Sequence, residues 1–116
     1  MIVEVRTYRL KPGTGEEFVR VMREESVPLL ERAGITVLGC GASLFAEEGH
    51  EEAYLIRSFA SPAEHREQEQ RFYDSAAWIG GPREAIVSRI EQYHTVVFEA
   101  DEAGVQAFRA TAAGSS

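Results

Sequence analysis

The stretch IVEVRTYRLKPGTGEEF, residues 2–18, decides how the rest of the chain is read. From Ile2 to Leu10 it is rich in β-branched and aromatic side chains in rough alternation, and Lys11-Pro12-Gly13 then punctuates it, which predicts a strand ending in a turn. Thr14, with Glu17 three residues on, has the spacing of a capping box, in which two side chains satisfy the free backbone N–H groups of a helix start. Phe18, Val21, Met22, Leu29 and Leu30 recur behind it at helical spacing, so a helix is predicted from about Gly15 to Arg32. Pro28 lies inside that span. Because proline lacks an N–H and crowds the preceding turn, a kink or break is expected near Glu24 to Val27.

Downstream, Gly34 closes the helix, and Ile35–Phe45 reads as a second strand with a bulge or close backbone approach at Gly39-Cys40-Gly41. After the polar stretch Ala46–Glu52, Ala53–Phe59 is a third strand that pairs with the second. Ser61, Pro62 and Glu64 supply an N-cap, a first-turn proline and a second capping box, opening a helix to about Tyr73. The segment Asp74–Pro82, with Trp78 and Gly80-Gly81-Pro82, breaks that path. A further helix is predicted over Arg83–Gln92 with Ile86, Val87 and Ile90 on its apolar face, and Tyr93–Ala100 is the last strand.

The order β, α, β, β, α, β is that of an α+β, ferredoxin-like plan: a four-stranded antiparallel sheet with its helices on one face. The other face then needs cover, since strand residues of either parity include Val5, Leu55, Phe59, Val96 and Val97. Burying a few hundred Å² of such surface at ~25 cal/mol per Å² stabilises by several kcal/mol. A homodimer that packs two sheets face to face, as a dimeric α+β barrel, is therefore expected.

A chain of 116 residues holds one core, and 44% hydrophobic with 27% charged residues is a globular mixture. The formal charge is −7 and the 12 basic residues are scattered among acids, which argues against a nucleic-acid partner. No run approaches the roughly 18 apolar residues that span a bilayer, and Met1–Val5 does not form a signal-peptide core, so no membrane partner is expected and a cytoplasmic location is. The lone Cys40 excludes an internal disulfide, no cluster has metal-ligand spacing, and Cys40 reads as a small buried hydrophobe. Residues 1–100 make the domain and 101–116 a tail. In the tail Asp101-Glu102 can cap a short helix whose Val105 and Phe108 are expected to dock on the partner subunit as an arm at the interface.

The opening MIVEVRTYRLKPGTGEEF, the stretch YLIRSFASPAEHRE and the DSAAW segment together resemble the NIPSNAP family within the dimeric α/β-barrel superfamily. The most specific part is Arg6-Thr7-Tyr8-Arg9-Leu10-Lys11-Pro12-Gly13. The resemblance covers about residues 1–100 and implies a fold and a dimer more firmly than an activity, because the superfamily includes monooxygenases, cyclases, isomerases and haem enzymes. Relatives similar to olivetolic acid cyclase use a Tyr and two His. At the matching places stand Phe72 or Tyr73, Trp78 and Glu4, and the loss of both histidines argues against that mechanism. None of the three histidines matches a haem ligand, so no cofactor is expected.

Strand parity puts Glu4, Arg6 and Tyr8 between sheet and helices, with Leu10 under Phe18. Two readings compete. In one, carboxylate, guanidinium and phenol converge on an oxygenated, hydrophobic or aromatic ligand; in the other, Glu4 and Arg6 form an ion pair at the core edge and Tyr8 is satisfied by backbone. Under the first, the chain is a cofactor-independent enzyme of isomerase, cyclase or monooxygenase type acting on an aromatic or polyketide-like compound, in which Arg6 holds a carbonyl or enolate oxygen and Tyr8 or His94 moves the proton. Phe18 and Met22 of the first helix, and Tyr73 and Trp78 at the break between helices, supply the apolar contact with the ligand. His50 and His65 are expected to be solvated, and His94 to face the interior. The rival to an enzyme is a noncatalytic binding or interaction module.

Overall fold

The computed structural model describes residues 1–114. Strands β1 (Ile2–Leu10), β2 (Thr36–Ala42), β3 (Glu52–Phe59) and β4 (Ile90–Glu99) form one antiparallel sheet in the order β2-β3-β1-β4. Helix α1 (Gly15–Val21), a π-helical turn (Met22–Ser26) and α2 (Val27–Arg32) connect β1 to β2. Helices α3 (Pro62–Tyr73), α4 (Ala76–Ile79) and α5 (Arg83–Val87) connect β3 to β4, and α6 (Glu102–Gly114) follows. This is the predicted α+β, ferredoxin-like order.

β1 lies between β3 and β4, so its alternation sorts the whole sheet. Ile2, Glu4, Tyr8 and Leu10 are buried beneath the helices, where the Tyr8 and Phe18 rings meet at 5.1 Å and Leu30, Ile35 and Leu55 fill the core around them. Val3 points the other way, into a smaller apolar cluster with Leu38 and Val105.

The kink expected before Pro28 takes the form of the π-helical turn. The Val27 N–H reaches back five residues to the Met22 carbonyl, a wider loop than the α-helical one. Pro28 offers no N–H to the Glu24 carbonyl and would collide with it in a regular helix. Widening the turn lets the helical path continue instead of breaking. Val21, Met22, Ser26 and Leu30 are all buried along it. Near the glycine triplet, the β2–β3 register shifts between Val37 and Gly39, as expected of a bulge.

Three expectations are corrected. Thr14 makes no capping contact with the helix; its hydroxyl donates to the Lys11 carbonyl at 2.6 Å, and the N–H groups of Gly13 and Gly15 are taken by the Glu51 carboxylate. Glu17 pairs with Arg20 instead. By contrast Ser61 does cap α3, accepting from the Glu64 N–H at 3.2 Å. The second strand stops at Ala42, leaving Leu44 and Phe45 exposed. The helix at Arg83 ends by Val87, because the Lys11 N–H already bonds the Arg89 carbonyl and Ile90 pairs with Leu10 as the first residue of β4.

The tail forms the short helix expected after Asp101. Reciprocal bonds between Met1 and Ala100, at 2.9 and 3.0 Å, tie the end of β4 to the start of β1, and α6 then crosses the open sheet face toward β2. Asp101 accepts from the Gly104 N–H at 2.6 Å and starts the helix. Val105 is buried against its own sheet with Val3 and Leu38, while Phe108 stays 44% exposed. Among the described residues no helix is long and apolar enough to cross a membrane.

Candidate functional site

Three elements build a polar cluster at the edge of the core. β1 presents Glu4, Arg6 and Tyr8; the antiparallel register sets Arg57 of β3 opposite Glu4 and Thr95 of β4 opposite Arg6. α3 lies over them and directs His65, Glu69 and Tyr73 down one stripe, since residues four apart share a helix face.

Arg57, with a fully buried side chain, is the hub. Its Nε donates to Glu4 Oε2 at 3.0 Å, Nη1 to the Tyr73 hydroxyl at 2.9 Å, and Nη2 to both Glu4 and Glu69, the latter at 2.6 Å. His65 Nε2 lies 2.8 Å from Glu4 Oε1, and its ring meets Phe59 edge-on at 4.7 Å. Arg6 is held more loosely. Its Nε donates to Thr95 Oγ1 at 3.1 Å and Nη1 to the Tyr73 hydroxyl at 3.2 Å, while Glu4 and Glu69 stand at 3.6 Å.

Beside this cluster opens a cavity of about 440 Å³, walled by Met22, Leu30, Leu55, Phe72, Trp78 and Ile86 and bounded at its polar end by Arg6, Tyr8, Glu69 and Tyr73. That size and that lining, apolar walls with a few convergent polar groups, suit a small organic ligand.

Two carboxyls in one cluster share the charge unequally. Burial raises the Glu69 carboxyl, its hydrogen bond with Glu4 raises it further, and together these outweigh Arg57 and Arg6, pushing it up to about 7. Burial also works against the ionised form of Glu4, but the hydrogen bond from Glu69, the Arg57 charge and the bond with His65 hold its carboxyl down to about 2. Glu4 is thus the anion and Glu69 the proton carrier. Burial pushes the Tyr8 phenol well above its ordinary value, which unfits it for proton transfer near neutrality.

Of the residues picked out by sequence, Arg6, Tyr8, Met22, Tyr73 and Trp78 come together around the cavity. Glu4 and Phe18 are wholly buried behind its wall. His94 does not join them: it pairs with Thr7 on the open sheet face and is exposed, because its neighbour Thr95, paired with Arg6, takes the position that faces the helices. It is also far from Cys40, as β2 and β4 are opposite edges of the sheet. His65, expected in solvent, is drawn in by Glu4. The Glu4–Arg6 pair exists, but Arg57 is the closer partner.

Arg57 and Glu69 were missed. The signals were present: Arg57 shares strand parity with Leu55 and Phe59, and His65, Glu69 and Tyr73 are spaced four apart. Glu4, His65 and Glu69 offer three ligand atoms within 4.8 Å of one another. The Arg57 guanidinium, bonded to both carboxylates, already fills the place a cation would take, so we assign no metal there.

The Ser26 hydroxyl is buried against the cavity wall without a hydrogen-bond partner among the described residues. An unsatisfied buried hydroxyl costs about 1–3 kcal/mol. Ser26→Ala should therefore raise stability, or at least not lower it, in urea denaturation; a loss above 1 kcal/mol would show that the hydroxyl has a partner.

A four-stranded antiparallel sheet in this order, with the connecting helices α1 to α5 on one face, defines a ferredoxin-like α+β domain. The sequence matches the NIPSNAP family over residues 3–99, and the chain belongs to that family. Among solved structures, a NIPSNAP domain protein from Burkholderia xenovorans superposes with a TM-score of 0.75 at 20% identity, covering 88% of this chain and 96% of that one. A NIPSNAP family protein from Agrobacterium tumefaciens gives 0.75 at 18% identity, covering 87% and 93%. A putative antibiotic biosynthesis monooxygenase from Nitrosomonas europaea gives 0.64 at 13% identity, covering 86% and 98%. At these identities the likeness is one of fold. No curated protein matches the chain.

Proposed function

We propose that this chain is a homodimeric, small-molecule-binding α+β barrel protein that carries out proton transfer, of the isomerase or cyclase type, on a hydrophobic, oxygenated aromatic or polyketide-like compound. The observation that carries this reading is the cavity whose polar end joins the Arg6 guanidinium to a carboxyl, Glu69, raised to about 7. As carboxylate, Glu69 takes a proton from the carbon next to a substrate carbonyl, the C–H pair shifts into an enolate, and Arg6 stabilises the charge on its oxygen. As acid, Glu69 returns the proton to another carbon or oxygen. Side chains suffice for both steps.

A binding module without chemistry would also contain the self-satisfied Glu4, Arg57 and His65. An open cavity reaching Arg6 and Tyr8 favours a ligand over a filled core. A thermal-shift screen of aromatic and polyketide-like ketones tests this. A ligand at 100 times its dissociation constant stabilises by ~2.7 kcal/mol, and the shift should vanish in Arg6→Gln. A hit that shifts the variant equally would place its site elsewhere.

The homodimer rests on the open sheet face, where Val96 and Phe98 of β4 are 49% and 46% exposed beside Val5 and Ile56. Light scattering at micromolar concentration should give twice the chain mass, and Phe98→Lys should return it to one. A wild-type monomer would sink the dimer.

A further inference from the structure

We propose that the ligand of this cavity is an organic acid: its reacting carbonyl or enol faces Arg6 and Glu69 on the floor, and its carboxylate pairs with Arg83 at the mouth. The inference rests on the ligand-site reading above and adds the ligand's charge. Arg83 is the exposed first residue of α5, and its side chain borders the cavity. Among the described residues no carboxylate lies within ion-pair distance of it, whereas Arg6 and Arg57 both have acidic partners.

The charge balance points the same way. The ionisable acids and bases that line the cavity, tyrosines aside, are Arg6, Arg83 and Glu69, two cations against one acid, in a chain whose formal charge is −7. Behind the wall, Arg57 is matched by Glu4. The cleft is a positive pole on an acidic protein, and a low-dielectric cleft focuses such a field on an incoming anion. The guanidinium fork fits a carboxylate with two parallel hydrogen bonds. Phe72, Tyr73, Trp78 and Tyr93, which line the same cavity as the two arginines, suit a ring or flat conjugated chain.

Three probes read by titration calorimetry test this: 6-hydroxy-2-naphthoate, its neutral carboxamide and 2-naphthol. The acid should bind at least tenfold tighter than the amide at low salt, and the gap should narrow as salt screens the exposed pair. Arg83→Gln should erase the gap and leave 2-naphthol unchanged; Arg83 is exposed, so the fold should not suffer. Equal binding of acid and amide, or a gap that survives Arg83→Gln, overturns the assignment while leaving the ligand site standing. Failure of all three probes to bind at millimolar concentration overturns both.

Discussion

Replacing Arg57 by leucine is expected to destabilise the protein by about 3–5 kcal/mol, since it leaves a buried carboxylate without its cation. Glu4 is wholly buried, and Arg57 gives it two of its hydrogen bonds. The same change strips Tyr73 and Glu69 of a donor. The double variant Glu4→Leu/Arg57→Leu should recover much of the loss, because removing both partners of a buried pair costs far less than removing one. Urea denaturation of the three proteins measures this. A single-variant loss below 1 kcal/mol would mean that Glu4 is compensated by His65 and Arg6 alone.

Glu69→Gln should cut turnover of any substrate found by the screen by about 10²–10⁴-fold while leaving its binding nearly intact. It removes the proton carrier but keeps the shape and a hydrogen bond. The same variant has a signature that needs no substrate. The folded-state value of Glu69 is raised to about 7, so its contribution to stability is complete below the unfolded value near 4.5 and is lost as pH rises through about 7. Glu4 has the opposite sign: its contribution is present above 4.5 and is lost as pH falls toward about 2, outside that window. The wild type should therefore be more stable at pH 5 than at pH 8, by on the order of 1–3 kcal/mol, and Glu69→Gln should flatten the difference. A variant with the wild-type slope would assign the titration to another group.

The strands, the α3 cap and the helical kink were legible because each rests on local chemistry: alternation in IVEVRTYRL, Ser61 before Pro62, Pro28 within a helical pattern. Of the site, β1 and the aromatic and apolar wall at Met22, Tyr73 and Trp78 were legible, and the polar partners from β3 and α3 were not. Glu4, Arg6 and Tyr8 follow from parity, but Arg57 reaches Glu4 through a pairing register set by both strands and their turns. His94 and Thr95 differ by one residue, and that one-residue difference exchanged an expected base for a surface side chain. Thr14 shows the same limit at a helix start, where Glu51, distant in sequence, supplies the oxygens that a local motif seemed to offer. The path of the tail was not legible because the bonds between Met1 and Ala100, which set its direction, join the two ends of the domain.

The π-helical turn at Met22–Ser26 ties the form of the cleft to chain length. A helix advances about 100° per residue, and a π turn takes in one residue more than an α turn. Arg23, Glu24 and Glu25 are exposed, whereas Met22, Ser26 and Leu30 border the cavity. Loss of one of the exposed three would remove the residue that the wide turn absorbs: Met22 and Leu30 would keep their common face, but Pro28 would again meet a carbonyl four residues back. A one-residue deletion here is therefore expected to break the helix ahead of Pro28 and loosen the wall that Ser26 and Leu30 give the cavity.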